Sequence, residues 1–270
     1  MAPSLANESG NTSALKPPPV INSHTSNFFS CSMMQIIPVI DLLNGVVVHA
    51  KKGERQHYQA IQSLLTHSSK PLDIVAALLE YYPFQHLYIA DLNAIQKLGD
   101  SNNSNFNAIQ TILQKFPQLK VWIDTGSSNQ SELSHWSGLN SNVILGSENF
   151  SNLESFLAVK KQLNAQHVLS LDFMPHGYQG PIALLDNPHF WPKDVIIMSL
   201  ANVGTNQGVN FALLEKFKQY TANFNLYAAG GVRGVDDLNR LKHLGVHGAL
   251  IATALHQKQL TYQQIESLSQ

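Results

Sequence analysis

The chain has 270 residues, enough for one large domain or two ordinary ones, and its 44% hydrophobic content can bury a substantial core. Charged residues reach only 13%, about half the usual share, and 17 Lys and Arg against 18 Asp and Glu leave a net charge of -1. That balance offers no electrostatic footing for a nucleic acid or a membrane surface, and the single Cys31 excludes a disulfide scaffold or a cysteine-rich metal site. Apolar runs no longer than a strand exclude a bilayer span, so a soluble, cytoplasmic protein is expected.

Residues 1–33 are rich in Ser, Asn and Pro, include Lys16-Pro17-Pro18-Pro19 and carry no apolar periodicity. They read as a disordered extension, and they lack the basic-then-apolar order of a signal peptide. From residue 34 to 270 a single domain is expected. Its strands are predicted at Ile36–Ile40, Leu87–Ala90, Lys120–Ile123, Val143–Leu145, Val168–Leu171, Val195–Ser199, Leu226–Ala229 and Ala249–Ala252. Helices are predicted near 71–82, 104–116, 130–137, 151–163, 181–190, 209–222, 235–244 and 261–268, with Pro188 interrupting the fifth. Val46 to Ala50, after Asn44-Gly45, reads as a hairpin arm on the first strand.

Strands alternating with helices imply a parallel sheet, and eight such units match a (β/α)8 TIM barrel. The competing open, doubly wound sheet normally has fewer strands, and no G-x-G-x-x-G follows the first one. Strands one and five end in Asp41 and Asp172, and strands three and seven run into Gly126 and Gly230-Gly231. Strands four and eight run into Gly146-Ser147 and Ala252-Thr253. This parallelism implies half-barrel pseudo-symmetry.

Loops at the carboxyl ends of barrel strands build the active site. Four acids stand at such ends: Asp41, Asp91, Asp124 and Asp172. Each could simply cap a helix or turn. Asp41 and Asp172, facing one another across the mouth, could instead work as an acid–base pair if one is protonated and the other ionised. Gly230, Gly231, Ala252 and Thr253 fit the phosphate position after strands seven and eight, with Gly204 and Thr205 added from the loop after strand six. Gly126, Gly146 and Ser147 are the symmetric counterpart for a second phosphate. His49 and Lys52 on the arm could meet substrate anions. The 12 histidines show no metal-ligand spacing, so no metal and no cofactor is expected, although Asp91 and Asp124 could together hold a divalent cation.

Several of these segments resemble the HisA/HisF barrels of histidine biosynthesis. They are Ile36-Ile37-Pro38-Val39-Ile40-Asp41-Leu42, Ser170-Leu171-Asp172, Gly204-Thr205-x-x-Gly208-x-Asn210, Ala229-Gly230-Gly231-Val232 and Gly245-Val246-x-Gly248. The resemblance runs from about 35 to 265 and implies a barrel of the ribulose-phosphate-binding type. It implies Asp41 and Asp172 as acid and base of a cofactor-independent Amadori rearrangement, aminoaldose phosphate to aminoketose phosphate, with phosphates at the two positions just given. Two departures stand out. Asp124-Thr125-Gly126-Ser127-Ser128 replaces the family's Gly-Gly-Gly-Ile-Arg run, and Asn202-Val203 replaces an Arg-Asp pair. Leu87-Tyr88-Ile89-Ala90-Asp91-Leu92-Asn93-Ala94-Ile95 and Thr253-Ala254-Leu255-His256 resemble more closely a related group of methanogenic archaea and methylotrophic bacteria.

Three functions are therefore open. The first is a HisA-like sugar-phosphate isomerase. The second is a related enzyme of one-carbon-carrier biosynthesis acting on a one-phosphate precursor. The third is a non-catalytic barrel that binds a phosphorylated metabolite. The expected partner in each is a small phosphorylated molecule, and the oligomeric state is left open.

Overall fold

A computed structural model describes residues 33–50, 57–98, 104–163, 167–205 and 207–270. Residues 1–32 of the expected 1–33 tail and the candidate Lys52 lie outside the described residues. The chain opens with β1 (Gln35–Leu43), and Asn44 and Gly45, with φ of 50° and 80°, turn it into β2 (Val46–His49). Two successive positive-φ residues form the turn whose twist suits a hairpin.

Next come β3 (Gln59–Ala60), α1 (Pro71–Tyr81), β4 (His86–Asp91), α2 (Leu92–Ile95), α3 (Ser104–Lys115) and β5 (Lys120–Asp124). The middle of the chain holds α4 (Gln130–Trp136), β6 (Asn142–Gly146), α5 (Leu153–Lys160), β7 (His167–Met174), β8 (Gly177–Gln179) and α6 (Ile182–Asp186). The last part holds β9 (Asp194–Ser199), α7 (Phe211–Phe217), β10 (Asn225–Ala229), α8 (Val235–His243), β11 (Gly248–Ile251), α9 (Thr253–His256) and α10 (Tyr262–Ser269).

The eight expected strands are β1, β4, β5, β6, β7, β9, β10 and β11. They pair in parallel in that order, and β11 returns to β1 with Gln35 opposite Gly248 and Pro38 opposite Ile251. The result is the expected closed (β/α)8 barrel. Pro188 splits the 181–190 segment into α6 and a separate 3-10 turn at Pro188–Phe190. The 209–222 segment likewise shortens to α7 followed by a 3-10 turn at Lys218–Tyr220. β3, β8 and α2 were not expected, being too short to show a period.

Side chains alternate across each strand, which divides the core in two. Ile37, Tyr88, Trp122, Ile144, Val168, Ile196, Tyr227 and Leu250 point into the barrel. Ile36, Ile40, Leu87 and Ile89 point outward and join Leu78 and Phe156 from the helices. Trp122 and Tyr227 meet edge to face at 4.8 Å and fill the interior below the mouth. The barrel is thus a packed plug with an open upper end.

The two halves repeat in detail. β1 folds back onto β2 with Asp41 opposite Val48, and β7 folds back onto β8 with Asp172 opposite Gln179. Both acids therefore sit at the base of a hairpin, with the same chain spacing to their partners. The first hairpin is announced by Asn44-Gly45. The second turns at Gly177, whose φ is 117°, and carries no such dipeptide.

Candidate active site

A cavity of about 300 Å³ occupies the carboxyl end of the barrel. It is lined by Asp41, Asp124 and Asp172, and by Gly204, Gly230, Gly231, Ala252 and Thr253. The structure thus brings these eight residues together, and His49 of the hairpin arm lines the same cavity.

Register decides which acids arrive there. Asp41 lies beside Ala90, and Ala90 beside Asp124, so the inward face of three strands carries an acid, an alanine and an acid. Asp91 is paired with Leu42, one residue further along, and a one-residue step reverses the face. It is fully buried outside the cavity, where its Oδ1 accepts from the backbone N–H groups of Asn93 (3.0 Å) and Ala94 (3.1 Å) at the start of α2. Asn105 Nδ2 donates to the same oxygen at 2.7 Å. Asp91 and Asp124 face opposite sides of the wall, and among the described residues no three His, Cys, Asp or Glu side chains are arranged to hold a metal.

Asp172 is 5% exposed. Ser170 Oγ donates to its Oδ1 at 2.6 Å, while Ser147 Oγ and the Glu148 backbone N–H each reach its Oδ2 at 3.2 Å. Burial, and then the nearby Glu148 carboxylate, push its pKa up to about 8 against the hydrogen bond from Ser170. Ser147 has one hydroxyl proton for two acceptors, and the Gln179 carbonyl is nearer, at 2.6 Å. With its proton committed there, Ser147 can accept from a protonated Asp172. Burial and this hydrogen-bond arrangement both favour the protonated carboxyl.

Tyr88 stands on the floor between these groups, and its OH donates to Asp124 Oδ2 at 3.1 Å. Burial first, and then the acidic side chains around it, Asp124 foremost, hold the phenol well above its ordinary value, so it stays a donor. Asp124 Oδ1 accepts from the Gly126 N–H at 3.0 Å.

The opposite rim is backbone. Gly230 and Gly231 have φ of 100° and 86°, and a Cβ on Gly231 would stand 2.2 Å from the Gly208 carbonyl oxygen. Only glycine fits there, for backbone and packing reasons together. Asn202 Nδ2 donates to that same carbonyl at 2.8 Å and stitches the loop after β9. Thr205 spends its hydroxyl on the Asn202 carbonyl at 3.0 Å and does not line the cavity.

Gly126, Gly146 and Ser147 also lie outside the lining. Gly146 makes room for Asp172, since a Cβ would meet Oδ2 at 3.3 Å. Lining residues that the sequence reading did not select are Tyr88, Glu148 and Arg233. Tyr88 could have been found by stepping back two residues from Ala90 along the inward face; Glu148 and Arg233 sit in loops, where no period applies.

A (β/α)8 barrel with its cavity at the carboxyl ends of the strands is the architecture in which barrel enzymes place their active sites. The chain belongs to the histidine biosynthesis protein family, whose model matches residues 35–184 and 190–261. An uncharacterized protein of Methanocaldococcus jannaschii is 32% identical over 86% of this chain and 97% of its own length. Proteins of Flavobacterium psychrophilum and Caldicellulosiruptor bescii, named as phosphoribosyl imidazole-4-carboxamide isomerases, are 26% and 27% identical. Each covers 87% of this chain, over 98% and 100% of its own length respectively.

Proposed function

We propose that the chain is a HisA-like isomerase that converts a phosphorylated aminoaldose to its aminoketose without a cofactor. The observation that carries this reading is that Asp41 and Asp172 open on the same cavity from equivalent places in the two halves, with burial favouring the protonated form of Asp172. Asp172 gives its proton to the ring oxygen and opens the sugar. Asp41 takes the proton from C2 of the opened imine to give the enaminol, and return of a proton to C1, as the 2-hydroxyl loses its own, completes the aminoketose. Two carboxyl groups in unlike surroundings divide the acid and base roles. Gly204, Gly230, Gly231, Ala252 and Thr253 hold the substrate's phosphate.

The test is turnover of the histidine-pathway aminoaldose by the purified protein, with rescue of an auxotroph lacking that isomerase. Asp41→Asn and Asp172→Asn are each expected to lower turnover by about 10³-fold, on the scale of general acid–base catalysis. Turnover unchanged in both variants overturns the assignment.

A second reading, a one-phosphate precursor in one-carbon-carrier biosynthesis, is favoured by one observation. The side of the cavity where a second phosphate would sit presents Asp124 and Glu148, while Gly126, Gly146 and Ser147 are withdrawn from it. Carboxylates at that end repel a dianion. This reading expects no rescue of the auxotroph, together with turnover of a singly phosphorylated aminosugar.

A further inference from the structure

The phosphate end of the cavity has a neutral backbone lining, while the same cavity carries Asp41, Asp124, Glu148 and Asp172. Even with Asp172 carrying its proton, a dianion entering it meets the charges of Asp41, Asp124 and Glu148 unless a cation stands at that rim. Among the described residues lining the cavity, Arg233 is the one lysine or arginine. It follows Gly230-Gly231 by two residues and precedes α8.

Its side chain is already fixed. Nε donates to Asp237 Oδ2 and Nη2 to Asp237 Oδ1, both at 3.0 Å, and the Arg233 backbone N–H also reaches Oδ2 at 3.0 Å. Asp237 lies in the first turn of α8 and is 7% exposed, so the anchor is held by the helix. A Cβ on Gly208 would stand 2.9 Å from the guanidinium carbon, which makes that glycine the surface on which the guanidinium rests. Arg233, Gly208 and Gly231 are thus packed as one unit. A guanidinium carries five N–H donors, and the Asp237 fork uses two. The Nη1 edge is left, on a side chain 51% exposed at the rim of the cavity.

We propose that Arg233, pre-oriented by Asp237 and seated on Gly208, is the cation that pairs with the phosphate monoester of the ligand. This rests on the reading of the glycine rim as a phosphate site, and it adds the residue that supplies the charge. A purely structural pair would cap α8 equally well, but it would leave anion affinity indifferent to the guanidinium.

The test is calorimetric titration of the full chain with inorganic phosphate and with glycerol phosphate. Wild type, Arg233→Gln, Arg233→Lys and Asp237→Asn are compared, with folding checked by thermal melting. Charge-assisted pairing predicts about tenfold or greater loss of affinity for both probes in Arg233→Gln, and a smaller loss in Arg233→Lys, which keeps the charge without the fork. Asp237→Asn is expected to weaken binding through misorientation, and the salt dependence of wild-type binding to flatten in Arg233→Gln. Equal affinity in wild type and Arg233→Gln overturns this proposal while leaving the phosphate rim intact. If wild type binds neither probe, the phosphate rim itself is wrong, and this proposal falls with it.

Discussion

Asp172 and Asp91 are both deeply buried acids at strand ends, and one residue of register separates their fates. Asp172 points inward, and its carboxyl is raised to about 8, by burial first and then by Glu148. A working acid with that value loses turnover as pH rises through about 8. Glu148→Gln removes the charge that acts most strongly on Asp172 and is expected to move that limb downward by about half a unit to one unit, which a pH–rate profile reads directly. Because Asp172 keeps its proton when folded and gives it up at about 3.8 when unfolded, the native state loses stability as pH rises from about 4 toward 8. Asp172→Asn removes that slope, and denaturant unfolding at several pH values checks it. Asp91→Ala should act oppositely on the two readouts. It strands the backbone N–H groups of Asn93 and Ala94 and removes one of the acceptors of Asn105 Nδ2, and is expected to cost about 2–4 kcal/mol in urea unfolding while turnover per folded molecule is kept. The sequence shows four acids at strand ends but not their parity, which only pairing with a neighbouring strand sets.

At the scale of elements, the strands were legible because each is a short β-branched run between polar loops. The hairpin β7–β8 was not, since three residues of β8 carry no period and its turn lacks the Asn-Gly of its counterpart. The segment after β3 could not be read either, because residues almost two hundred positions further along hold it. Leu64 N–H donates to the His256 carbonyl at 2.8 Å, Gln257 Nε2 to the Gln62 carbonyl at 3.0 Å, and His256 Nδ1 lies 3.1 Å from Ser63 Oγ. This clasp ties the chain beyond the first hairpin to α9, next to the phosphate rim. Burial pushes the His256 pKa down to about 4. With a folded value below the unfolded one, its contribution is present above about 6.5 and is lost as pH falls toward 4. Hydrogen exchange at Leu64, corrected for intrinsic rates, is expected to accelerate across that window in the wild type and to be pH-independent in His256→Gln. A flat wild-type response would show that the clasp does not depend on the imidazole.

For the molecule as a whole, fold class and closure were readable from the count of units. The composition of the cavity was readable only in part. Asp41, Asp172 and the Gly230-Gly231 pair were visible because they end strands; Arg233 was not, because its meaning comes from Gly208, contributed by a different loop. Closure itself rests on the seam between β11 and β1. Gly248 stands opposite Gln35, and a Cβ there would lie 2.7 Å from the Gln35 carbonyl oxygen and 2.8 Å from the Tyr227 ring. Gly248→Val should therefore force the seam apart, costing about 3 kcal/mol or more by overpacking, seen as a lowered midpoint in denaturant unfolding. A normal midpoint would mean that the barrel can yield at this joint.

The same seam orders events in time. A ribosome delivers Asp41 about two hundred residues before Thr253, and until β11 emerges the sheet has two open edges and no mouth. The nascent chain therefore carries its acids long before it has a chamber to put them in. The cavity is completed only when β11 docks on β1, and a chain stalled short of Gly248 exposes the unpaired flank of β1 to any neighbour with a matching edge.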